Sequence, residues 1–387
     1  MPLRIVIDVR RIRDFGIGTY IRSLVHALGI IDSVNHYVLV ALPEDARTLS
    51  AVPGNFEALE FGRPDWDPLT HVSLPLFLQR LSPDLVHIPL NRVPLFMIRP
   101  YVVTIHDMAS VLFDERRGVR RSLWRFLFRR GLARAERVIA VSEATQRDVQ
   151  NVMGISPDRV RLVHNALSPE FFMQPRGAGA GPETESQELE RQRIMERYQV
   201  RYPFILYAGN IRPQKNIPRL VEAFAVLRSQ LAGHPAYQDL RLIIIGDQIS
   251  HHPEVRRTVI QSRVEQLVRF LGFVPFETLR CFYESAAAFV FPSLYEGFGL
   301  PPLEAMASGT PVVTSSISSL PEVVGDAAML VNPENVFDIA RGIREVLVDE
   351  NRRCELIRKG REHASRYNWE RTAREVLGIY QEVAGKQ

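Results

Sequence analysis

Short runs rich in valine and isoleucine alternate with longer amphipathic stretches, and this alternation constrains the fold more than any other feature. Near-continuous apolar runs separated by helical periods are typical of a parallel sheet that helices cover on both faces. The chain is therefore predicted to be α/β, with a doubly wound parallel sheet in each half. In the first half the runs are LRIVIDV (3–9), HYVLVAL (36–42), DLVHIP (84–89), YVVTIHD (101–107), RVIAVS (137–142) and RVRLVHN (159–165). In the second half they are PFILYAG (203–209), LRLIIIG (240–246), VRFLGF (268–273), AAFVFPS (287–293), TPVVTS (310–315) and AAMLVN (327–332).

Length and one interruption of this pattern indicate the domain boundaries. A chain of 387 residues exceeds what one hydrophobic core usually serves, so two domains are expected. Residues 173–192 are rich in Gly, Pro, Ser and Glu, which bury too little apolar surface to form a core. We predict a Rossmann-like N-terminal domain at 1–172, a linker or insertion at 173–200 and a Rossmann-like C-terminal domain at 201–367.

Charge and cysteine content narrow the partners and the cellular compartment that we expect. The formal net charge of +4 suits phosphate-bearing ligands, an anionic membrane surface or ordinary solubility. The basic residues are not interleaved with a nucleic-acid-binding motif, so no nucleic-acid partner is expected. Cys281 and Cys354 have no His or Cys neighbours at metal-ligand spacing, which favours a reducing compartment and no zinc site. Without a signal peptide or an apolar run of about eighteen residues, we expect a cytoplasmic protein, either soluble or peripheral on a membrane.

The segment FPSLYEGFGLPPLEAMASGTPVV (291–313) is the most informative part of the sequence. A strand, a glycine-rich turn and a helix are predicted, with the helix beginning at Pro301 or Pro302 and Glu304 in its first turn. Backbone N–H groups at such a helix start can bind a diphosphate. The carboxylates of Glu296 and Glu304 would repel phosphate, so they are expected to accept hydrogen bonds from sugar hydroxyls. The alternative for Glu304 is a first-turn acid that only favours the helix dipole.

The spacing of the two glutamates within EGFGLPPLEAMASG resembles the signature of retaining glycosyltransferases of family 4, which adopt the GT-B fold. The resemblance continues through LGFVPFETLRCFYESAAAFV before the pair and SSLPEVVGDAAMLVNP after it. It implies two Rossmann-like domains that face a deep cleft, an acceptor-side N-terminal domain and a final helix, about 368–387, packed back on that domain. It also implies that Glu296 contacts the donor sugar and Glu304 holds the ribose. In the same pattern, backbone groups of Phe298, Gly299 and Leu300 contact the donor, and Gly272, Phe273 and Val274 face the nucleobase.

A candidate cation lies in YAGNIRPQKN (207–216), at the end of the first strand of the second domain. Lys215 has the spacing that the family uses to neutralise the leaving diphosphate, and a solvated first-turn lysine is the alternative. Many relatives carry Arg where this chain has Asn210. Arg212 is a weaker candidate for the second cation, because its planar guanidinium need not reach the same oxygens.

Two further candidates lie in the first domain. His106 ends a strand in TIHD, and the resemblance implies that it contacts the donor sugar or stabilises the reacting centre, whereas a histidine at a strand end is otherwise structural. Asp107 is interpreted as a turn or capping residue. Gly16 and Gly18 in FGIGTY would contact donor phosphate through backbone N–H groups or simply form a tight strand-to-helix turn. As a dinucleotide fingerprint this pair is weak, because a third glycine is missing.

A basic, aromatic stretch, RRGVRRSLWRFLFRR (116–130), admits two interpretations. At helical spacing Arg121, Arg125 and Arg129 share one face, with bulky apolar residues broadly opposite. This arrangement is typical of a helix on an anionic membrane surface. The alternative is a domain helix whose apolar face covers the sheet.

Taken together, these features predict a metal-independent retaining glycosyltransferase without cofactors. Its donor is a nucleotide sugar, with mannose from GDP-mannose favoured, and its acceptor is a glycan or a polyprenyl or other lipid-linked sugar in cell-surface polysaccharide biosynthesis. No Asp-x-Asp cluster indicates a metal site, and cationic residues can stabilise the leaving diphosphate instead. The alternatives are a catalytically silent nucleotide-sugar-binding partner protein and an NAD-dependent dehydrogenase.

Overall fold

Two parallel sheets organise the chain. The computed structural model describes residues 2–14, 16–47, 49, 54–113, 119–171 and 185–385. The chain divides into two compact units, of which unit 1 is Met1–Ser168 with Tyr367–Gln387 and unit 2 is Pro169–Arg366.

Unit 1 is built on a seven-stranded parallel sheet with the order β3-β2-β1-β4-β5-β6-β7. Most residues of its central strands are buried and β-branched or aliphatic, as a sheet covered on both faces requires. The strands are β1 (Arg4–Asp8), β2 (His36–Ala41), β3 (Phe56–Glu60), β4 (Leu85–Ile88), β5 (Tyr101–Ile105), β6 (Arg137–Ala140) and β7 (Val160–Leu162). The helices are α1 (Ile17–Ile31), α2 (Pro43–Ala46), α3 (Thr70–Arg80), α4 (Ala109–Leu112), α5 (Val119–Arg134), α6 (Glu143–Met153) and α15 (Trp369–Ala384).

Unit 2 contains a six-stranded parallel sheet with the order β10-β9-β8-β11-β12-β13. The strands are β8 (Phe204–Gly209), β9 (Arg241–Gly246), β10 (Val268–Gly272), β11 (Ala288–Phe291), β12 (Val312–Ser315) and β13 (Met329–Val331). The helices are α7 (Glu185–Arg197), α8 (Ile217–Gln230), α9 (Pro253–Gln261), α10 (Phe276–Ser285), α11 (Leu300–Ala307), α12 (Leu320–Val324), α13 (Val336–Val348) and α14 (Glu350–Ala364).

The strand order of each sheet reverses at one point. Following the chain, strands are added on one side of the starting strand and then on the other, so the reversal lies between β1 and β4 in unit 1 and between β8 and β11 in unit 2. At such a switch point the loops at the carboxyl ends of the two strands diverge and leave a crevice, where open parallel sheets bind ligands. Functional residues of each unit are therefore expected just after these four strands.

The final helix, α15, belongs to unit 1 although 198 residues of unit 2, Pro169–Arg366, precede it in the chain. The side chain of Asn368 accepts a hydrogen bond from the amide of Arg371 and caps its first turn. The buried hydroxyl of Tyr380 lies 2.6 Å from Nδ1 of the buried His87 on β4. Nε2 of the same ring lies 2.8 Å from the hydroxyl of Thr104 on β5, so a polar chain ties α15 to the sheet.

Part of the segment 173–200, expected as a linker or insertion, is helical. Helix α7 (Glu185–Arg197) lies within it, and this helix belongs to unit 2. The ring of Tyr198, just after α7, packs edge-on against Phe282 of α10 with 5.4 Å between ring centroids. The glycine-rich residues 172–184 lie outside the described part of the chain.

Candidate active site

The switch point of unit 2 holds an ion pair between two sequence-predicted residues. Nζ of Lys215, in the loop after β8, donates hydrogen bonds of 2.6 and 2.8 Å to Oε1 and Oε2 of Glu296, in the loop after β11. The two side chains are only 16% and 10% exposed. The same ammonium group lies 5.3 Å from the centroid of the Phe291 ring. The structure thus brings together a cation and a carboxylate that are 81 positions apart in the sequence.

Backbone contacts fix the loop that carries Lys215. Asn216 follows it in a left-handed conformation, with φ of 62°. Its buried side-chain amide donates to the carbonyls of Pro292 at 3.0 Å and Pro333 at 2.7 Å. The amide of Leu294 donates to the carbonyl of Gln214 at 2.7 Å. These bonds tie the two switch-point loops of unit 2 together, so the ion pair rests on a fixed backbone.

The turn that carries Glu296 is held by two serines. Ser318 accepts from the amide of Glu296 at 3.0 Å, and its hydroxyl lies 2.9 Å from the carbonyl of the same residue. The hydroxyl of Ser319 lies 2.7 Å from the carbonyl of the buried Phe298. Sequence analysis did not identify these serines, because hydroxyls that bond a distant backbone have no pattern in a single sequence.

Gly299 ends this turn in a conformation that suits only glycine. Its φ is 106°, and a Cβ there would lie 2.7 Å from Cδ2 of Leu320. Helix α11 begins immediately afterwards at Leu300. The predicted start at Pro301 or Pro302 was therefore slightly late, and no acidic residue lies in the first turn. Placing Glu304 in the first turn was wrong, so the helix dipole does not account for it.

Glu304 instead pairs with an aromatic residue. The hydroxyl of Tyr283, buried on α10, donates to Oε2 of Glu304 at 2.8 Å. Burial raises the pKa of Glu304 from its ordinary 4.5 to about 7, although the Tyr283 hydrogen bond acts in the opposite direction. This carboxyl therefore exchanges its proton near neutral pH. Sequence analysis did not predict Tyr283, because nothing in α10 distinguishes it from an ordinary core tyrosine.

The remaining candidates of unit 2 lie at the carboxyl ends of β8 and β10. Arg212 is exposed in the loop between β8 and Lys215, and Asn210 before it is also exposed. Gly272 ends the edge strand β10 with φ of 68°. Phe273 is 72% exposed, whereas Val274 is buried. The sequence expectation for this stretch was that its backbone faces the nucleobase; the exposed ring of Phe273 adds a surface on which a base can stack.

His106 lies at the carboxyl end of β5 in unit 1. Its Nε2 donates to the carbonyl of Pro89 at 3.1 Å, and its amide donates to Oδ1 of Asn91 at 3.3 Å. Its ring packs edge-on against Tyr20 with 4.7 Å between centroids. Burial lowers the pKa of His106 to about 4, while the bond to Pro89 acts in the opposite direction. The ring is neutral at pH 7, and so low a pKa suits a hydrogen-bonding role better than general base catalysis.

The neighbouring residues of unit 1 have local structural roles. Oδ1 of Asp107 accepts from the amide of Ala109 at 2.8 Å, so Asp107 stabilises the turn that leads into α4. Gly16 precedes α1 with φ of 73°. Gly18 lies so close to the preceding loop that a Cβ would be 2.4 Å from the carbonyl oxygen of Ile12. The close turn thus requires glycine at position 18, whatever ligand its backbone contacts.

Helix α5 buries only some of its bulky apolar residues. Phe128 is buried and faces the unit, whereas Leu123 and Phe126 are 55% and 59% exposed. Arg125 is partly exposed and Arg129 is exposed, while the side chain of Arg121 lies outside the described part of the structure. The apolar residues are therefore divided between the core and the solvent, so the sheet-covering interpretation accounts for Phe128 and leaves Leu123 and Phe126 exposed.

Neither a metal cluster nor a membrane span occurs in the described ranges. No group of three or more His, Cys, Asp or Glu side chains there could hold a metal ion. Within the same residues, no helix combines the length and the apolar character needed to cross a bilayer.

Comparison with known proteins agrees with this arrangement. Residues 190–363 match the model of the family Glycosyl transferases group 1, and residues 16–171 match that of Glycosyltransferase Family 4. The chain is 30% identical over 288 residues to the O-antigen chain mannosyltransferase B of Escherichia coli, covering 72% of this chain and 69% of that protein. It is 32% identical over 293 residues to the serotype-specific mannosyltransferase WbdA of Escherichia coli, covering 74% of this chain and about a third, 34%, of that protein.

Solved structures show the same fold. The structure of HepE from Anabaena in complex with UDP and glucose superposes with a TM-score of 0.74 at 16% identity, covering 98% of this chain and 100% of that one. Two Rossmann-like units with this strand order define the GT-B fold. The chain belongs to glycosyltransferase family 4. This membership confirms the predicted fold class and enzyme class and removes the dehydrogenase alternative.

Proposed function

We propose that this glycosyltransferase moves mannose from GDP-mannose to a glycan or a lipid-linked sugar in cell-surface polysaccharide biosynthesis. The observation that carries the proposal is the Lys215–Glu296 ion pair at the switch point of unit 2. The names of the relatives, O-antigen and serotype-specific mannosyltransferases, favour mannose as the sugar and a surface polysaccharide as the product. HepE was solved with UDP and glucose, so UDP-sugars are the next donors to test.

In the proposed reaction the bond between the anomeric carbon and the diphosphate oxygen breaks, and its electron pair stays on that oxygen. The oxygen of an acceptor hydroxyl forms the new bond to the anomeric carbon, and its proton passes to the departing diphosphate. The transition state carries positive charge on the sugar ring and negative charge on the leaving group. Retention of the anomeric configuration and independence from metal are part of this proposal.

Each unit 2 candidate has a part in this mechanism. Lys215 neutralises the departing diphosphate, with Arg212 as a second cation. Glu296, now paired with Lys215, accepts hydrogen bonds from the donor sugar. Because one ammonium group serves both the carboxylate and the diphosphate, donor binding is expected to exchange part of the Lys215–Glu296 contact for contacts to phosphate.

The rest of the donor would be held by neighbouring groups. Glu304 accepts from the ribose diol, and backbone N–H groups at Phe298, Gly299 and Leu300 contact the diphosphate. Phe273 stacks on the base, with the backbone of Gly272 and Val274 at its edge. In unit 1, neutral His106 contacts the donor sugar, and the backbone at Gly16 and Gly18 borders the phosphate.

The test is a panel of nucleotide sugars scored by nucleotide release, with and without chelator. GDP-mannose is expected to give the fastest release, and chelator should leave the rate unchanged. Glu296→Ala should lower turnover sharply, while Glu304→Ala should mainly raise the KM for the donor. Glu265→Ala is the matched control, because that glutamate is exposed in unit 2 and remote in sequence from both switch-point loops. Equal, near-native kinetics for both active-site variants would defeat the assignment.

The same assay tests the sequence alternative of a catalytically silent nucleotide-sugar-binding protein. The two functions share the contacts of unit 2 and differ only in turnover. Tight binding of GDP-mannose without release of GDP in the presence of any acceptor would favour the silent protein.

We also propose that the enzyme works in the cytoplasm, at the inner surface of the membrane. Neither Cys281 nor Cys354 forms a disulfide bond with a described residue, as a reducing compartment favours. On α5 the exposed Leu123 and Phe126 lie among arginines, which suits contact with anionic lipid. Changing Arg121, Arg125 and Arg129 together to Gln should weaken sedimentation with anionic liposomes, and unchanged sedimentation would remove the membrane proposal.

A further inference from the structure

Unit 1 contains a cavity that no sequence motif indicated. Its volume is about 220 Å³, and it lies over the loops after β1, β3 and β4, beneath helix α5. The side chains that matter for its chemistry are those of Asp65, Trp66, His71, Asn91, Arg92 and Trp124. All of them belong to unit 1, so the cavity is complete within one unit.

The cavity occupies the switch point of the unit 1 sheet. Arg10 follows β1 and Asn91 follows β4, the two strands between which the strand order reverses, and both residues line the cavity. The buried guanidinium group of Arg10 is held by both carboxylate oxygens of Asp8, at 2.8 and 2.6 Å. A crevice at this place in an open parallel sheet is where a ligand is expected.

One residue joins the cavity to the candidate His106. The side chain of Asn91, which lines the cavity, accepts from the amide of His106 at 3.3 Å and donates to the carbonyl of Asp107 at 3.4 Å. A ligand in the cavity would therefore lie one side chain away from the residue that is proposed to meet the donor sugar.

The lining combines an aromatic surface with hydrogen-bonding groups. Trp66 is 67% exposed, although so large an apolar ring is usually covered. Across the cavity lining, Trp124 is stacked on the buried Phe128 with 5.4 Å between centroids. The apolar C–H face of a pyranose ring packs well on an indole, whose edge still reaches water.

The polar groups can serve sugar hydroxyls as donors and as acceptors. Nδ1 of His71 accepts from the amide of Leu95 at 3.0 Å, so the proton of the neutral ring is on Nε2, which is a donor. Oδ2 of Asp65 is buried, and it lies 2.9 Å from the guanidinium group of Arg11 and 3.9 Å from that of Arg92. Neither contact has hydrogen-bond geometry, and no other described residue donates to this oxygen. Arg92 is about half exposed and supplies further donors.

The size of the cavity selects among the substrates of a glycosyltransferase. Sites for drug-sized ligands measure roughly 300–1,000 Å³. At about 220 Å³, this cavity is too small for a nucleotide sugar and suits a single sugar ring. Charges of both signs line it, since Asp65 and Arg92 belong to the lining and the charge of Arg10 is paired with that of Asp8. This balance favours a neutral sugar over a phosphate.

We propose that this cavity binds the terminal neutral sugar of the acceptor glycan, with Trp66 packing on its ring and Asp65, His71 and Arg92 bonding its hydroxyls. The inference rests on the proposed function, because it assumes that the acceptor is a saccharide. It assigns acceptor recognition to side chains of unit 1 outside the glutamate motif and the loop of Lys215.

The test separates acceptor kinetics from donor kinetics. In Trp66→Ala the KM for an oligosaccharide acceptor should rise about tenfold, which corresponds to about 1.4 kcal/mol, while the KM for the nucleotide sugar should change less than twofold. Trp66→Phe keeps an aromatic face and should recover most of the loss. Phe337→Ala is the matched control, because that ring is 70% exposed in unit 2 and does not line the cavity.

A direct binding measurement keeps this test independent of turnover. Saturation-transfer NMR on the full chain would use methyl glycosides of mannose, glucose and N-acetylglucosamine, with inorganic phosphate as the competitor. At least one glycoside should bind the parent protein and lose its signal in Trp66→Ala. Unchanged acceptor KM and glycoside signal in Trp66→Ala would overturn the proposal, as would displacement of every glycoside by phosphate. If glycosides bind as expected but no nucleotide sugar is turned over, the proposed function fails and the cavity assignment survives.

Discussion

The Tyr283–Glu304 pair predicts that donor binding depends on pH in the neutral range. Burial holds the pKa of Glu304 at about 7, and only the carboxylate can accept hydrogen bonds from both hydroxyls of a ribose diol. Such a group is about one-tenth ionised at pH 6 and about nine-tenths ionised at pH 8. If only the ionised form binds, the Kd for a nucleotide sugar should fall about tenfold between these pH values, or about 1.4 kcal/mol.

The assay is isothermal titration calorimetry with a nucleotide sugar between pH 5.5 and 8.5. A nucleotide sugar is preferable to a free nucleoside diphosphate, whose terminal phosphate itself titrates near pH 6. Because binding favours the carboxylate, the complex should also release about half a proton at pH 7, seen as a dependence of the binding enthalpy on the buffer.

Two variants test whether Glu304 is the group responsible. Glu304→Gln should bind more weakly and show no pH dependence in this range. Tyr283→Phe removes a hydrogen bond that lowers the pKa of Glu304, so the midpoint should move to higher pH. A flat pH profile in the parent protein, or the same slope in Glu304→Gln, would refute the reasoning.

Three further predictions concern single contacts. Lys215→Ala should lower kcat about 10²–10³-fold through loss of leaving-group stabilisation, and Lys215→Arg should recover part of it; undiminished turnover in the alanine variant would contradict the role. Gly299→Ala should destabilise unit 2 by about 1–3 kcal/mol in chemical denaturation, since φ is 106° and Leu320 blocks the Cβ; native stability would show that the turn relaxes easily. Tyr380→Phe leaves Nδ1 of the buried His87 without its partner and should cost unit 1 about 1–3 kcal/mol by thermal unfolding, whereas an unchanged midpoint would mean that the bond is unimportant.

The alternating pattern predicted the strands of both sheets except β3 (Phe56–Glu60). This strand lies at the edge of its sheet, and its sequence FEALE contains two glutamates and no β-branched residue. An edge strand needs only one apolar face and one hydrogen-bonded neighbour, here β2, so its pairing is set by that neighbour. Its existence therefore could not be inferred from local composition.

The sequence indicated the residues of the candidate site, but it did not indicate which of them contact each other. Lys215, Glu296 and Glu304 each follow from motif and spacing, whereas the pairing of Lys215 with Glu296 depends on which strands are adjacent. Tyr283 lies on another helix, α10, and its hydrogen bond lowers the pKa of Glu304. No local sequence pattern indicates this contact. Sequence motifs thus indicate which residues to test as ligand contacts, while their protonation and pairing are set by packing.

The cavity in unit 1 and the ion pair in unit 2 occupy corresponding places in the two sheets. The cavity lies at the loops that follow β1 and β4, and the ion pair lies at the loops that follow β8 and β11. In both sheets these are the two strands between which the strand order reverses. Since the topology provides the same crevice twice, the side chains alone decide what each crevice binds. A lysine paired with a glutamate suits a charged diphosphate and its sugar, whereas tryptophans with balanced charges suit a neutral ring. Acceptor preference should therefore change with the loops of unit 1, and donor preference with the loops of unit 2.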